Sequence, residues 1–298
     1  MPDLLAGLTL PFHQTCVHLA PATENTGLYS AIICGNRLGV GQNFKMALAQ
    51  MGLLHLLIVS GFHLTFFEST VSVFLTRKNI LNGDLIPISE LSRWKQIFLG
   101  LLLVLFALVN QLRAPVTRAL IAIFLKSFNR RLNLQWTRLQ IITASGFATF
   151  IFCRTLFDLQ ALLLSWLATL ALTALENKDR SWFQVLFTQA RAYILILPAL
   201  LPLSVPSPIS IFCNWLLAPV LGSVLFPMSL LGFLFHPLLP ITDWIWKIAK
   251  VTLLWIASVT PEGSTPISVS PAALWIYLAL LTFSFWFFQE RRAPQPIC

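Results

Sequence analysis

The stretch Met51-Gly-Leu-Leu-His-Leu-Leu-Ile-Val-Ser-Gly-Phe-His-Leu64 is apolar enough to lie in a lipid bilayer, yet it contains two histidines, a serine and two glycines. Polar and ionisable side chains at membrane depth cost about 2.5–3.5 kcal/mol or more each, so they usually serve a function there. On a helix, His55 and His63 would share broadly one face, about 12 Å apart along the axis, with Ser60 beside His63. The stretch therefore predicts a membrane-embedded helix with a polar face.

The composition of the whole chain is typical of a polytopic membrane protein. Of 298 residues, 57% are hydrophobic and 10% are charged, whereas soluble domains contain about 25% charged residues. We expect an all-α fold, a transmembrane helical bundle of about eight or nine membrane segments, some broken or re-entrant because they are short for a hydrocarbon core of about 30 Å. The predicted segments are 47–75, 97–109, 114–128, 139–152, 156–175, 190–203, 209–235, 245–259 and 272–288.

The basic residues divide unevenly between the two sides of the predicted bundle. The chain carries a net charge of +9, and 15 of its 20 Lys and Arg residues fall on the side of the C-terminus if every segment spans. The positive-inside rule then predicts an extracytoplasmic segment 1–46, a channel domain 47–288 and a cytoplasmic tail 289–298. It also places the loop 236–244, counted together with Lys247 and Lys250, on the cytoplasmic side.

The cysteine pattern and the N-terminal sequence argue against a disulfide framework, a zinc site and a signal peptide. Five cysteines are scattered without a CxxC pair, at Cys16, Cys34, Cys153, Cys213 and Cys298. This pattern predicts neither a disulfide framework nor a zinc site. Residues 1–10 lack the basic start and the long apolar core of a signal peptide, so we expect the first membrane segment to act as the insertion signal.

Four interpretations of the polar stretch compete. A zinc site would need HxxH or HxxxH spacing, which the chain does not contain. A serine nucleophile at Ser60 with His63 as base would make an intramembrane hydrolase, although the rhomboid-type GxSG motif is missing. Helix–helix packing through Ser and His hydrogen bonds is the simplest alternative. The fourth is the polar lining of a translocation path, and the residues alone leave packing and lining open.

A second group of polar residues is centred on Gln111-Leu-Arg-Ala-Pro-Val-Thr-Arg-Ala119, in which two arginines bracket a proline at the edge of an apolar run. Arg113 and Arg118 fall on the predicted side that has few positive charges, which favours contact with phosphate groups. Snorkelling of long cationic side chains to the interface explains their position nearly as well. Within the predicted spans, Glu68, Ser165 and Asn214 are further candidates for inter-helix hydrogen bonds.

At these residues the chain resembles the competence domain of the ComEC/Rec2 family, the inner-membrane DNA-uptake channel of transformable bacteria. The family has a glycine, then His-Leu-Leu, two small or aliphatic residues and Ser-Gly-x-His, and the stretch 52–63 is similar to this pattern. Gly35-Asn36-Arg37 resembles the family's Gly-Asp-Arg, with asparagine in place of aspartate. Further matches follow in order at Arg118-Ala119, at the helix around Ser165, and at Asn214 with Pro219. The Ser165 helix departs from the family pattern, because it lacks the Gly-Phe-Gln that precedes the serine there.

The resemblance implies a channel that translocates single-stranded DNA into the cytoplasm during natural transformation, located in the bacterial inner membrane. It suggests polar residues that line the channel, namely His55, Ser60, His63, Ser165 and Asn214. The arginines expected to attract DNA phosphates near the outer side are Arg113 and Arg118. The positions expected to allow a helix break or close packing are Gly52, Gly61 and Pro219.

The resemblance also implies what the protein works with. Larger family members carry a metallo-β-lactamase-like nuclease domain, but its HxHxDH motif is missing here, so we expect no enzyme activity, no cofactor and no metal. The expected partners are single-stranded DNA, the lipid bilayer and other competence proteins such as a DNA receptor, a helicase and a separate nuclease, and self-association into a homo-oligomer stays open. The alternatives are an intramembrane serine hydrolase and a non-transporting relative that acts as an assembly partner.

Overall fold

The structure is a computed structural model that describes residues 2–54, 61–75, 93–153, 159–174, 182–201, 209–260 and 269–290. Over these residues every regular element is helical, so the all-α class is confirmed for this part of the chain. The α-helices are α1 (Pro2–His18), α2 (Thr26–Ile33), α3 (Gln42–Gln50), α4 (Gly61–Leu75), α5 (Arg93–Val109), α6 (Ala114–Leu132), α7 (Arg138–Cys153), α8 (Leu159–Ala174), α9 (Trp182–Leu200), α10 (Ile209–Val220), α11 (Phe226–Leu234), α12 (Leu239–Val259) and α13 (Pro271–Glu290).

The helices pack around two clusters of buried apolar side chains. The larger cluster joins the N-terminal helices to α4, α5, α6, α11 and α12, and its fully buried members include Tyr29, Leu64 and Phe226. The smaller cluster joins α7, α8, α9 and α13 around Trp166 and Leu170. Helix α6 packs against both α4 and α8, so it lies between the two clusters and connects them.

The N-terminal segment is part of the packed core. Helix α2 buries most of its side chains, and Tyr29 and Cys34 are fully buried. Cys16 at the end of α1 forms a disulfide with Cys34 after α2. The cysteine pattern predicted no disulfide framework, yet one disulfide forms, because helix packing brings together two cysteines that are 18 residues apart and carry no spacing motif.

The first predicted span, 47–75, is interrupted at Gly52. Helix α3 ends at Gln50, and Gly52 adopts a left-handed φ of +68°, which L side chains rarely adopt. Helix α4 then begins at Gly61. Gly52 is one of the three positions at which we expected a helix break or close packing, and residues 55–60 lie outside the described chain.

Helices α10 and α11 form one continuous helical rod through a π-helical turn at Leu221–Leu225. This rod, Ser210–Leu234, is the one helix among the described residues that is long and apolar enough to cross a membrane, and shorter apolar helices lie at Leu159–Thr173, Ala190–Leu200 and Ala272–Phe285. The helix therefore continues past Pro219, one of the positions at which we expected a helix break or close packing. Proline removes a backbone donor, and the wide turn shifts the hydrogen-bond register instead of ending the helix.

The start of α12 is attached to the N-terminal segment by hydrogen bonds. The Asp243 carboxylate accepts bonds from Thr23 Oγ1 and Asn25 Nδ2, both at 3.1 Å. The Tyr29 hydroxyl lies 2.7 Å from Thr242 Oγ1, and burial, foremost, raises the pKa of this phenol to about 12. These contacts join residues that the charge count predicts on opposite sides of the membrane, in the segment 1–46 and in the loop 236–244. Lys247 and Lys250, which were counted with this loop, lie inside α12.

Candidate functional site

The turn at Gly52 packs directly against α10. Asn214 Nδ2 donates to the Gly52 carbonyl at 3.4 Å and to the Ser210 carbonyl at 2.8 Å. A Cβ atom at Gly52 would lie 3.0 Å from Asn214 Nδ2 and 3.0 Å from Ser210 Cβ. Ser210 Oγ in turn donates to the Tyr193 hydroxyl of α9 at 2.9 Å. A chain of polar groups therefore runs from the turn through α10 to α9.

The start of α4 makes a close backbone approach to α6. A Cβ atom at Gly61 would lie 3.1 Å from Ala119 Cβ, 3.1 Å from the Pro115 carbonyl oxygen and 3.6 Å from Arg118 Nη2. Two residues later, His63 is buried, and its ring centroid lies 4.6 Å from that of Phe226. His63 thus contacts an aromatic ring of α11 within the core.

Arg118 of α6 is a buried cation held by neutral hydroxyl groups. Its side chain is 5% exposed. Nε donates to Ser165 Oγ at 3.1 Å, Nη2 donates to Thr169 Oγ1 at 2.7 Å, and Nη1 takes part in neither bond. Along the described chain no carboxylate pairs with it. Burying an unpaired charge costs several kcal/mol, so this position favours an anion. We expected Arg118 near the outer surface, but the close approach of α4 at Gly61 covers it.

A second basic site lies where α5 turns into α6. Asn110 is fully buried, and its Nδ2 donates to the carbonyl oxygens of Ile33 at 3.2 Å and Phe106 at 2.8 Å. A Cβ atom at Gly35, which has φ +73°, would lie 2.8 Å from Asn110 Oδ1. The Gly35-Asn36-Arg37 segment therefore packs onto this turn, and only glycine fits at its first position.

Arg113 is the cation of this second site. It is half-buried, and burial, followed by the neighbouring charge of Arg37, lowers the pKa of its guanidinium. Within the described part of the chain, Arg113 Nη1 and Asn110 Oδ1 are buried without a hydrogen-bond partner. Arg37 itself is exposed. Two cations side by side with an unused N–H group suit a phosphate oxygen, which guanidinium groups bind well.

The structure thus brings several predicted residues together. Gly52 and Asn214 are in direct contact, as are Arg118 and Ser165, and Gly61 lies against Arg118. Pro219 lies within α10, just before the π-helical turn. His55 and Ser60 lie outside the described residues, and so does any pairing of Ser60 with His63.

Other polar residues of the site were missed by sequence reasoning, namely Asn110, Thr169, Tyr193 and Ser210. Two of them had a signal in the sequence. Thr169 follows Ser165 by four residues and Ser210 precedes Asn214 by four, so each pair shares one helix face. Asn110 and Tyr193 had no comparable signal, since their partners are distant in the chain. Among the described residues, no group of three His, Cys, Asp or Glu side chains is arranged to hold a metal ion.

Comparison with known families gives one match. The family model described as Competence protein matches residues 32–293 of the chain. This match includes every residue of the candidate site, from Ile33 to Phe226. Neither the curated proteins nor the solved structures contain a match to the chain.

Proposed function

Because the chain belongs to the competence protein family, whose role is in DNA uptake, we propose that it is the inner-membrane channel component that passes single-stranded DNA into the cytoplasm. The proposal assigns the path to the polar residues between α4, α6, α8 and α10. Arg113 and Arg118 attract the phosphates. His55, Ser60, His63, Ser165 and Asn214 line the path, and Gly52, Gly61 and Pro219 shape the backbone around it.

The outer surface of the helices supports a membrane location. Helix α12 exposes an apolar stripe at i, i+3, i+7 and i+10 spacings, formed by Ile241, Trp244, Ile248, Val251, Trp255 and Val259. Helix α5 exposes Trp94, Ile97, Phe98, Leu101 and Leu105. Soluble monomers rarely expose contiguous apolar patches of this extent. These faces suit lipid tails, which favours a bundle that spans the bilayer.

The disulfide supports an extracytoplasmic location of the segment 1–46. Disulfides persist in oxidising compartments and are rare in the cytosol, and Cys16 and Cys34 both lie in this segment. The channel domain 47–288 then follows, with the tail 289–298 in the cytoplasm. A DNA receptor outside, and a helicase and separate nuclease, are the partners that such a channel needs.

The observation that carries the proposal is the buried Arg118 without a carboxylate partner in the described chain. A purely structural arginine in an apolar bundle would cost stability without a gain, whereas a passing phosphate compensates its charge. Single-strand paths combine such cationic positions with aromatic surfaces, and the Phe226 ring lies next to His63.

Gene deletion in a transformable host tests the proposal. We expect that labelled single strands no longer appear in the cytoplasm, and that the intact gene restores them. Normal uptake in the deletion strain, with no second family member present, would contradict the channel function. A Ser60→Ala variant distinguishes the channel from the hydrolase alternative. A hydrolase should lose its activity completely, whereas a channel that keeps its shape should lose only part of its DNA uptake.

A further inference from the structure

Helix α6 continues as a cationic track beyond the proposed site. Arg118, Lys126 and Arg130 fall within an arc of about 120° at 3.6 residues per turn, so they share one side of the helix. Arg131, by contrast, lies on another face. At a rise of 1.5 Å per residue, Lys126 lies about 12 Å beyond Arg118, and Arg130 lies about 6 Å further.

The pair of Lys126 and Arg130 is electrostatically unfavourable by itself. Like charges four residues apart on a helix destabilise it, and Arg138 of α7 also repels Lys126. In the described chain, Glu68 of α4 is the carboxylate that interacts electrostatically with both Lys126 and Arg130. The cluster therefore contains three cations and one anion, and it keeps an excess of positive charge.

Neither cation is neutralised by a close partner. Over the described ranges, Lys126 and Arg130 form no ion pair, and Arg130 Nε is buried without a hydrogen bond. The next residue behaves differently, because Arg131 is exposed and its Nη2 donates to Gln96 Oε1 at 2.5 Å. A general positive-inside bias explains Arg131, but it does not explain a half-buried arginine beside a like charge.

We propose that Lys126 and Arg130 form a second phosphodiester-binding site at the far end of α6, which takes the DNA strand after Arg118. This inference rests on the proposed function. The spacing of about 6 Å between the two cations corresponds to roughly two nucleotides of a stacked strand at 3.4 Å each. Glu68 limits the affinity of the site, so that the strand is bound well enough to advance and weakly enough to leave.

The salt dependence of DNA binding tests the site. The full chain in nanodiscs of zwitterionic phosphatidylcholine is titrated with fluorescent oligothymidylate at several salt concentrations. Each phosphate contact contributes about 0.7 to the slope of log K against log salt for a single strand. We expect Lys126→Gln and Arg130→Gln each to reduce the slope by about 0.7, and Arg130→Lys to retain it. Arg131→Gln is the matched control and should leave the slope unchanged, while Glu68→Gln should tighten binding.

The outcomes separate this inference from the function on which it rests. If the wild-type chain binds oligothymidylate but Lys126→Gln and Arg130→Gln leave the slope unchanged, the second site is wrong and the channel function stands. A wild-type chain that binds no oligothymidylate contradicts the proposed function itself. Nanodiscs that contain phosphatidylglycerol test whether the phosphate bound at this site belongs to a lipid headgroup and not to DNA. Variants that keep the DNA slope but lose bound phosphatidylglycerol would assign the site to a lipid headgroup and overturn the proposal.

Discussion

At Gly52 the backbone conformation and the surrounding space both require glycine. A left-handed residue with a Cβ atom costs about 1–2 kcal/mol, and the added atom would also press on Asn214 and Ser210 at 3.0 Å. We expect Gly52→Ala to lower the thermal unfolding midpoint of the detergent-solubilised protein. Gly100→Ala is the control, since its Cβ would lie 3.9 Å from the Phe124 ring and alanine favours helix. Equal midpoints for the two variants would show that the Gly52 turn carries no strain.

A substitution at Arg118 separates stability from function. The buried unpaired charge of Arg118 lowers the stability of the fold, but the proposed function needs that charge to bind phosphate. Arg118→Gln removes the charge but retains a donor for Ser165 or Thr169. We expect its unfolding midpoint to stay equal or to rise, and the salt slope of oligothymidylate binding to fall by about 0.7. Loss of labelled DNA uptake should accompany this change. An unstable variant that binds DNA with the wild-type slope would instead assign Arg118 a purely structural role.

Sequence reasoning at the residue scale found positions but not their partners. It singled out Gly52, Arg118, Ser165 and Asn214 as polar or glycine positions that are costly in an apolar chain. The contact of Asn214 with Gly52 joins residues 162 positions apart, and no local pattern encodes such a pairing. Burial of Arg118 was missed for the same reason, since it depends on how closely α4 approaches α6 at Gly61.

Among the elements, α1 and α2 depend on the disulfide that the cysteine spacing did not reveal. A cross-link that closes a loop of this size stabilises a protein by about 3 kcal/mol through the entropy of the unfolded chain. We expect Cys16→Ser and Cys34→Ser to lower the unfolding midpoint equally, and the double variant to add no further loss. Reductant should lower the midpoint of the wild-type protein but not that of the double variant. Additive losses in the double variant would mean that the two sulfurs act independently.

In the rod of α10 and α11, one property could be predicted from the sequence and another could not. Its apolar length was evident from the sequence, and the described helix is long enough to span. Pro219 suggested a helix break, but the helix continues past it into a π-helical turn at Leu221–Leu225. The helix after that turn is joined to α12, as Ser229 Oγ of α11 accepts a bond from Trp246 Nε1 at 2.8 Å. Hydropathy predicts the existence of such an element, whereas its internal geometry depends on contacts.

Across the whole molecule, the contacts of Asp243 change the expected sidedness of the chain. Its hydrogen bonds to Thr23 and Asn25 lead us to expect the start of α12 on the same side as the N-terminal segment. The charge count assigned that turn to the cytoplasm by alternation of the nine predicted segments, and it counted two lysines within α12 as loop residues. A loop count that includes lysines of a helix overstates the positive charge of that loop.

Cysteine labelling of membrane vesicles tests this arrangement. In a background that carries Cys153→Ser, Cys213→Ser and Cys298→Ser, single cysteines replace Leu38, Leu134 and Leu238, which are all exposed. A membrane-impermeant maleimide is applied to right-side-out and inside-out vesicles. We expect Leu38→Cys and Leu238→Cys to react in the right-side-out vesicles, because both positions adjoin the segment with the disulfide. Leu134→Cys, between α6 and α7, should react only in the inside-out vesicles. If Leu238→Cys reacts together with Leu134→Cys, the contacts of Asp243 do not hold in the membrane, and the charge-based assignment is restored.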